Sequence, residues 1–565
     1  MIRKVSAFAD KKYDLIIVGG GIYGISVARD AALRGLTVGL VEQGDFGNAA
    51  SSNHHKIIHG GFRYLQHADF SRMRESSRER NVLMRIAPHL VHPMPCVIPT
   101  YGHRLKEKLI LAVALKINDL ISFDRNRKLR ENQKIPAGRI LSTAQCLQLC
   151  PNIDQRGLSG GALFFDAQVD NPDRLNLSVL FSAAEAGADF VNYVQMTGFL
   201  RHGPAVSGIR VKDTLSGTEC AIRARVVVNC TGPRPDRVLH LLGRPPMEKP
   251  TNLLKAIVLV TRPLVGNTAV GIRSRSPYTD RDAVVQKGYR FFFITPWRHT
   301  SLIGTYETPY KADRDGRDVS ENEITDFLRQ INDAFSGARL QREDVVGVLS
   351  GLLPAADATE PNGHAQRQNH WTIRDHRAED GISGLISVVG VKYTTARGIA
   401  EKTVNLVLKK LGRRFVRSLT AETPVAGGVI NGWDEFADRA AKEERTRRIS
   451  TQTLRHLLQC YGSEYRTILR YCDADSCWSR SISSDTPTIR AEVLHGIRSE
   501  MARKLSDVIF RRTELGTAGH PGDACLHACA EIMRTELDWN KATMFRELDD
   551  VQQAFSYERH QARAS

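Results

Sequence analysis

The sequence predicts an α/β fold that is followed by a helical C-terminal region. Residues 13–42 have the order strand, glycine-rich turn, helix and strand, which is that of a βαβ unit. Short β-rich runs then alternate with helical segments, a pattern typical of α/β domains. Helical patterning prevails from about residue 428 to about residue 555. We therefore expect a discontinuous Rossmann-like nucleotide-binding domain, an α+β domain interwoven with it, and an all-α cap domain.

The first βαβ unit carries a dinucleotide-binding fingerprint. The motif Gly19-x-Gly21-x-x-Gly24 follows an apolar strand at 15–18, and the acid Glu42 ends the second strand. The first glycine allows a tight turn, the second lets the backbone approach a pyrophosphate, and the third lets the helix pack on the strand. The N–H groups at the helix N-terminus face the phosphates, and Glu42 would accept hydrogen bonds from an adenosine ribose. The alternative is a glycine-rich turn that binds no ligand.

Later segments predict further strands of the same domains. Residues 221–229 form a strand that leads into a second turn at Thr231-Gly232, where the glycine would bring backbone close to a cofactor. Residues 291–295 and 301–305 are predicted to be two strands of an antiparallel sheet. Residues 385–389 form another apolar strand, after which Gly390 precedes a helix at 396–411.

These elements predict the domain boundaries. The nucleotide-binding segments lie at about 13–90, 150–250 and 345–415, the substrate-domain segments at about 91–149 and 251–344, and the helical domain at 423–565.

Composition restricts the partners. The formal net charge of +17 suits an anionic substrate, an anionic lipid surface or nucleic acid, but neither an aromatic-rich RNA-binding motif nor zinc-finger spacing accompanies it. We therefore expect no nucleic-acid partner. The ten cysteines are scattered and indicate buried reduced thiols rather than a metal site. The first twelve residues contain no apolar signal region, so we expect a cytoplasmic protein.

One segment suggests contact with a membrane surface. Residues 103–121 combine basic residues with an apolar run and could form an amphipathic helix on an anionic surface. The apolar stretch at 109–115 is far shorter than the roughly 20 residues that span a bilayer, so any association would be peripheral, on the inner face of the cytoplasmic membrane. The alternative is a helix that packs on the protein core.

Several stretches together resemble a known family. They are GGGIYG at 19–24, SSNHHKIIHGGFRYLQH at 51–67, VVNCTGP at 227–233, ITPW at 294–297, IGTYETPYKAD at 303–313, VKYTTARGIAE at 391–401 and EMARKLSDVIFRRTELG at 500–516. In this order they are similar to the FAD-dependent glycerol-3-phosphate dehydrogenases of the glycine-oxidase-like flavoprotein superfamily. The resemblance covers nearly the whole chain.

The resemblance implies that the dinucleotide is FAD rather than NAD. Ser51 and Ser52 stand where the family contacts the pyrophosphate and flavin region. The segment from Gly390 to Thr395 lies at a helix start, whose partial positive charge can stabilise a reduced flavin. The residues expected to bind the cofactor are Gly19, Gly21, Ile22, Tyr23, Gly24, Glu42, Ser51, Ser52, Thr231, Gly232, Gly390, Val391 and Lys392.

The resemblance also implies oxidation of sn-glycerol 3-phosphate to dihydroxyacetone phosphate, with electrons passed to a quinone or to oxygen. The expected catalytic residues are His59, Arg63, Tyr64, Arg374, Lys392 and Thr394. Arg63 and Arg374 would bind the phosphate or a substrate oxygen, and Lys392 with Thr394 the reacting hydroxyl. His59 is a candidate proton acceptor because imidazole titrates near neutral pH; the alternative is a structural histidine. A homodimer is one oligomeric state left open.

The chain departs from the family pattern at the phosphate site. Lys255-Ala256-Ile257-Val258 replaces Lys-Gly-Ser-His, and Leu353 stands where the family has an arginine. A charge-assisted arginine–phosphate contact is strong, so its loss suggests a weaker phosphate site or another substrate. Two alternatives therefore stay open: a sister flavoenzyme that oxidises a different hydroxy or amino compound in a less polar pocket, and a flavin-bound protein that is not an enzyme.

Overall fold

The computed structural model describes residues 3–102, 105–243, 252–275, 290–310, 318–359, 365–445 and 449–556 of the 565-residue chain. The strands in these residues, β1–β18 in chain order, are Lys12–Val18, Val38–Val41, Ile57–Ile58, Val91–Tyr101, Arg139–Leu141, Leu158–Val169, Asp189–Val191, Val194–His202, Ala205–Asp213, Glu219–Asn229, Leu253–Thr261, Ala269–Arg273, Phe291–Trp297, Thr300–Tyr310, Val345–Thr359, Ala365–Arg367, Thr372–Asp375 and Leu385–Val389.

The α-helices of the same residues, α1–α17, are Val5–Ala9, Ile22–Leu33, Phe70–Ile86, Leu105–Ile121, Thr143–Leu149, Pro172–Glu185, Pro235–Leu239, Glu321–Ala334, His376–Asp380, Ala396–Lys410, Trp433–Glu443, Thr451–Tyr461, Tyr465–Ala474, Arg490–Ser499, Leu505–Asp507, Asp523–Glu536 and Lys541–Ser556. Of the sequence motifs above, residues 311–313 lie outside the described residues, as do the first two residues of the predicted helix 103–121.

The chain forms two compact units. The first contains Met1–Ser52, Asn171–Leu253 and Leu353–Ser565, and the second contains Asn53–Asp170 and Leu254–Leu352. Residues 53–90 and 150–170 thus belong to the second unit, although the sequence pattern grouped them with the nucleotide-binding segments. The physical reason is strand pairing: β6 pairs with both β3 and β4 and so draws its neighbours in the chain into that sheet. The cofactor and substrate roles of the two units stay predictions.

A parallel sheet forms the centre of the first unit. Its strand order is β17-β18-β10-β1-β2-β7, and β1 runs parallel to both β2 and β10. The central strands β1, β2 and β18 are almost entirely buried, as expected of a parallel sheet covered on both faces, whereas the edge strand β17 is antiparallel to β18 and partly exposed. Helix α2 packs against α6 and α10, and the β8–β9 hairpin extends the sheet from β10. The prediction of a Rossmann-like α/β fold is confirmed.

A largely antiparallel sheet forms the second unit. Its order is β15-β11-β14-β13-β12-β4-β6-β3, with β5 paired to β6 and β16 paired to the end of β15. The predicted strands at 291–295 and 301–305 are confirmed as the antiparallel pair β13–β14. Ile257 on β11 is fully buried in the apolar core with Phe292 and Phe327. Ile257, one of the aliphatic residues that replace polar ones in the family's phosphate-site motif, is therefore a core residue.

The C-terminal region is helical, as the sequence predicts. Helices α11–α14 enclose one apolar cluster, and helices α14–α17 enclose a second. A buried ionic network joins this region to the parallel-sheet part of the first unit: Arg511 and Arg512 both donate hydrogen bonds to Asp45, and Arg174 pairs with Glu500. No helix in the described part of the chain has the length and apolar character needed to cross a membrane.

Candidate active site

The turn between β1 and α2 has the shape of a phosphate-binding loop. Gly19 adopts a φ of +107°, which disfavours every residue except glycine. A Cβ atom on Gly24 would lie 1.9 Å from the Gly19 carbonyl oxygen, so the helix begins directly on the turn. A Cβ atom on Gly21 would meet only the Ser51 hydroxyl, at 3.1 Å. The backbone beside Gly21 is therefore open to a ligand, whereas Gly24 is closed by protein.

Glu42 is held at the end of β2 by this turn. Its carboxylate accepts hydrogen bonds from the Gly20 N–H at 2.6 Å and from the Gly44 N–H at 2.8 Å. Burial raises the pKa of Glu42, although these two hydrogen bonds favour the charged form. A carboxylate oxygen has two lone pairs, so each can still accept a ribose hydroxyl.

The serines predicted to contact the cofactor line the same loop. The Ser51 hydroxyl accepts a hydrogen bond from the Ile22 N–H at 3.0 Å, at the first turn of α2. The Ser52 hydroxyl donates to the Gly47 carbonyl at 2.8 Å. Thr231 and Gly232 follow β10, and Gly232 has a φ of +77° with open space around it. These residues surround the positive end of α2.

The segment between β18 and α10 is the second stretch that the sequence predicts to contact the cofactor. Gly390 to Thr395 form a turn and the helix begins at Ala396, so the predicted helix start is correct within this segment. The Tyr23 hydroxyl donates to the Lys392 carbonyl at 2.6 Å and accepts from the Lys392 N–H at 3.3 Å. Tyr23, which the sequence placed among cofactor contacts, thus touches protein backbone.

Two buried polar side-chain atoms in the first unit have no hydrogen-bond partner among the described residues. The Thr395 hydroxyl is 1% exposed and has no hydrogen-bond partner among the described residues. The Asn176 amide nitrogen is likewise buried, and no described residue accepts its hydrogen bond, while its carbonyl oxygen accepts from the Tyr393 hydroxyl at 2.8 Å. Buried polar groups are normally satisfied, so these atoms fit a polar ligand that enters the site. The open glycine turn and these atoms suit a bound dinucleotide.

The predicted catalytic residues at 59–64 lie in the second unit. His59 directly follows β3, and its Nδ1 lies 3.0 Å from the Asp166 carboxylate. The His59 side chain remains 46% exposed, so it can reach a substrate. Arg63 is exposed on the short 3₁₀ helix Phe62–His67, and the Tyr64 ring faces the guanidinium of Arg72 at 4.3 Å.

Arg374 has two carboxylates beside its guanidinium. It lies on β17, where its guanidinium forms ion pairs with Glu379 at 2.5 Å and with Asp380 at 2.9 Å. Two carboxylates next to one arginine offset its charge and compete with an anionic substrate. The phosphate role of Arg374 stays a prediction. Lys392 and Thr394 stay in the cofactor turn, with Thr394 buried and Lys392 partly exposed.

Comparison with known proteins agrees with this geometry. Residues 14–406 match the family "FAD dependent oxidoreductase", and residues 418–544 match "C-terminal domain of alpha-glycerophosphate oxidase". A glycerol-3-phosphate dehydrogenase of a Synechocystis strain is 33% identical over 95% of this chain and 94% of its own length. The chain belongs to the FAD-dependent glycerol-3-phosphate dehydrogenase family.

Other members of the glycerol-3-phosphate dehydrogenase family show the same relationship. The mitochondrial enzyme of Mus musculus is 29% identical over 97% of this chain and 74% of its own length. A solved Bacillus halodurans glycerol-3-phosphate dehydrogenase, described as complexed with FAD, has a TM-score of 0.75 at 24% identity and covers 98% of this chain and 96% of its own. This similarity in structure supports the fold throughout both units.

The sequence alone did not single out four residues that the structure places at these sites: Asp166, Arg80, Asn176 and Thr395. Asp166 had a recognisable signal, because it is an acid within the apolar run LFFDAQV at 163–169. A carboxylate in a buried strand is rare unless it is paired. Thr395 lies in the family stretch at 391–401, but the sequence assigned a role of its own only to the adjacent Thr394.

Proposed function

We propose that this protein oxidises sn-glycerol 3-phosphate to dihydroxyacetone phosphate with FAD as its cofactor. The observation that carries the proposal is the match to a glycerol-3-phosphate dehydrogenase at 33% identity over 95% of the chain. The glycine turn, the buried Glu42 and the free Thr395 hydroxyl support a dinucleotide in the first unit.

FAD would be held by three parts of the first unit. The turn at Gly19–Gly24 and the N-terminus of α2 would bind the pyrophosphate, since unpaired N–H groups and the helix dipole both favour an anion. Glu42 would accept hydrogen bonds from the ribose. The positive end of α10, with Thr395, would lie at the flavin ring. When bound, FAD supplies the hydride acceptor for the alcohol.

The chain's own residues would bind the substrate and remove its hydroxyl proton. Oxidation of a secondary alcohol requires loss of the hydroxyl proton together with a hydride from the same carbon. His59 is the candidate proton acceptor, because it is partly exposed and hydrogen-bonded to a carboxylate. Lys392 would position the substrate hydroxyl, and the exposed Arg63 would bind the phosphate. Electrons would then pass to a quinone or to oxygen.

A second candidate function rests on the altered phosphate site. Leu353 on β15 replaces an arginine of the family pattern, and the half-buried leucine cannot bind an anion. A sister enzyme of the same fold would therefore oxidise a hydroxy or amino compound that lacks the phosphate. This candidate predicts a higher kcat/KM for an unphosphorylated hydroxy or amino compound than for glycerol 3-phosphate.

Steady-state assays with an artificial electron acceptor distinguish the two candidates. The substrate panel contains sn-glycerol 3-phosphate, its enantiomer, glycerol, glycine and L-proline. We expect the highest kcat/KM for sn-glycerol 3-phosphate and dihydroxyacetone phosphate as its product. A higher kcat/KM for any unphosphorylated compound would transfer the assignment to the sister enzyme. Lys392→Met should bind FAD but fail to reduce it, and a normal rate in this variant would remove Lys392 from the mechanism.

We further propose that helix α4 binds the surface of an anionic membrane. Leu109, Val113 and Leu120 lie on one helical face and are 66%, 50% and 74% exposed, while Leu115 packs into the core. The exposed Phe123 extends this apolar stripe. Three exposed cations, Lys116, Arg127 and Lys128, accompany the stripe and complement anionic headgroups. Helix α4 thus packs on the core with one face and presents an apolar, basic face to the surroundings, although the sequence left core packing and a membrane surface as alternatives.

Vesicle sedimentation tests this surface. The wild type should sediment with phosphatidylcholine vesicles that contain phosphatidylglycerol, and high salt should release it. The triple variant Leu109→Gln, Val113→Gln, Leu120→Gln should stay in the supernatant. A matched control replaces the equally exposed Phe415 and Val429 with glutamine and should sediment like the wild type. If the triple variant sediments with the vesicles as much as the control variant does, α4 is not the membrane-binding surface.

A further inference from the structure

The pairing of β3 with β6 places His59 beside Asp166. In the antiparallel register Ile57 lies opposite Gln168 and Ile58 opposite Ala167, so the next pair along the ladder is His59 and Asp166. The Asp166 Oδ2 lies 3.0 Å from the Nδ1 of His59. The carboxylate is almost completely buried, whereas the imidazole is 46% exposed. Asp166 thus contacts His59 from the protein side, and within the described parts of the chain no residue forms a hydrogen bond with the other ring nitrogen, Nε2.

A second set of contacts fixes the Asp166 carboxylate itself. Its Oδ1 accepts hydrogen bonds from the Gly60 N–H at 2.6 Å and from the Arg80 guanidinium at 3.0 Å. Arg80 is buried and also donates to the Phe165 carbonyl at 2.6 Å. It lies so close to Gly60 that a Cβ atom there would be 2.0 Å from its Nη1. The carboxylate therefore has one oxygen held by backbone and arginine and one oxygen available to the histidine.

The charge of this network favours an ionised Asp166. Burial by itself would raise the pKa of the carboxyl group, but the hydrogen bonds from His59 and Gly60 and the charge of Arg80 outweigh burial and lower it. An ionised carboxylate accepts hydrogen bonds only. The proton of a neutral His59 must then be on Nδ1, and Nε2 carries the lone pair.

We propose that Asp166, held by Arg80 and Gly60, is a positioning residue that keeps His59 in the Nδ1–H tautomer with Nε2 ready to accept a proton. The proposal rests on the proposed function, in which His59 takes the hydroxyl proton of the substrate. The proton moves from the substrate oxygen to Nε2, and Asp166 stabilises the resulting imidazolium without receiving the proton. The Oδ1 contacts keep the carboxylate from turning away.

The variant Asp166→Asn tests the role in catalysis. An asparagine can still accept from Gly60 and Arg80 through its oxygen, but its amide nitrogen would face Nδ1 and favour the wrong tautomer. We expect the rate constant of flavin reduction by saturating sn-glycerol 3-phosphate to fall by about 100-fold or more, at unchanged FAD content. The pH profile of this rate should also differ from that of the wild type, because no carboxylate then stabilises the imidazolium that forms when His59 accepts the proton.

The matched control is Asp170→Asn. Asp170 lies directly after the same strand, β6, and is half-exposed with His92 as a distant partner at 3.9 Å. This variant should keep the wild-type rate and pH profile. A purely structural role of Asp166 would change FAD content or thermal stability and leave the pH profile in place. If FAD-loaded Asp166→Asn has the rate and the pH profile of the wild type, the positioning role of Asp166 is overturned. The proposed function would then still stand, because it depends only on the activity of the wild type.

An NMR measurement of the His59 tautomer tests the positioning role without substrate and without the Asp166→Asn variant. In ¹⁵N-histidine-labelled wild type, the signals of His59 are those that disappear in His59→Gln. We expect a protonated Nδ1 and an unprotonated Nε2 in the neutral ring. The opposite tautomer would overturn the inference even if Asp166→Asn failed to fold. If the wild-type flavin is not reduced by sn-glycerol 3-phosphate, the proposed function fails, and the tautomer still decides the positioning role.

Discussion

The hydroxyl of Tyr23 lies between the carbonyl and the N–H of Lys392, at 2.6 and 3.3 Å. Tyr23 is on the first turn of α2, and Lys392 is in the turn that precedes α10. One side chain therefore links the loop expected to bind the pyrophosphate to the loop expected to bind the flavin. A Cβ atom on Gly390 would lie 1.8 Å from the Tyr23 ring, so the ring and the second loop are in direct contact.

Gly390→Ala should weaken FAD binding by forcing this ring and the turn apart. Overpacking of a closed contact costs about 1–3 kcal/mol, so we expect the FAD dissociation constant to rise by about 10-fold, measured by fluorescence titration of the apoprotein. The same change in a Tyr23→Ala background should have a smaller effect, because the clashing ring is gone. If the effects of Gly390→Ala and Tyr23→Ala on the free energy of FAD binding are strictly additive, the contact between Gly390 and the Tyr23 ring does not limit FAD binding.

Two neighbouring glycines should give opposite results. Gly21→Val should leave the apoprotein about as stable as the wild type while abolishing FAD binding, because its Cβ would contact only the Ser51 hydroxyl among the described residues and the side chain would enter the space for the pyrophosphate. Gly24→Ala should instead destabilise the apoprotein, because its Cβ would overlap the Gly19 carbonyl oxygen. Thermal unfolding and FAD absorbance measure both effects. Full FAD retention in a folded Gly21→Val protein would mean that the loop does not bind the cofactor.

The buried pairs of Asp45 with Arg511 and Arg512 should stabilise the protein in a pH-dependent way. Burial opposes ionisation of Asp45, but the two arginines lower its pKa below the ordinary value. For a lowered carboxyl pKa, the stabilisation is complete above the unfolded-state value near 4 and is lost as the pH falls below it. Breaking a buried pair costs about 3–5 kcal/mol, so Arg512→Met should lower the free energy of unfolding by a similar amount at pH 7.

Urea unfolding at several pH values tests this prediction. The difference between the wild type and Arg512→Met should shrink as the pH falls from about 4 toward about 2, because Asp45 is protonated near pH 4 in the unfolded chain but only near pH 2 in the folded wild type. The control Arg417→Met removes an exposed partner of Glu422 and should change stability by less than about 1 kcal/mol. A difference that stays constant with pH would rule out the ionic origin of the stabilisation.

Leu353→Arg should strengthen the binding of phosphate-bearing substrates. A charge-assisted hydrogen bond contributes about 1.5–3 kcal/mol, so we expect KM for sn-glycerol 3-phosphate to fall by roughly 10-fold or more, with little change for glycerol. Leu353→Gln, which is polar but uncharged, serves as the control and should lack the effect. An unchanged KM in Leu353→Arg would show that position 353 does not face the phosphate.

The sequence predicted the parts of the site whose chemistry is local. Gly19, Gly21, Gly24 and Glu42 lie within one βαβ unit, so their spacing alone implied a nucleotide loop. The partnership of His59 with Asp166 was not predictable in this way, because the two residues are 107 positions apart and meet only through the register of β3 and β6. Arg374 matched a family motif, but its ion pairs with Glu379 and Asp380 depend on the short helix α9 that follows β17.

Anaerobic reduction of the bound flavin by sn-glycerol 3-phosphate tests the central claim most directly. The purified protein should be yellow, and mixing with the substrate in the absence of oxygen should bleach the visible band of oxidised FAD in a single turnover. One dihydroxyacetone phosphate should form per flavin, because each oxidation transfers one hydride. A protein that contains FAD but stays yellow at every concentration of sn-glycerol 3-phosphate would contradict the account.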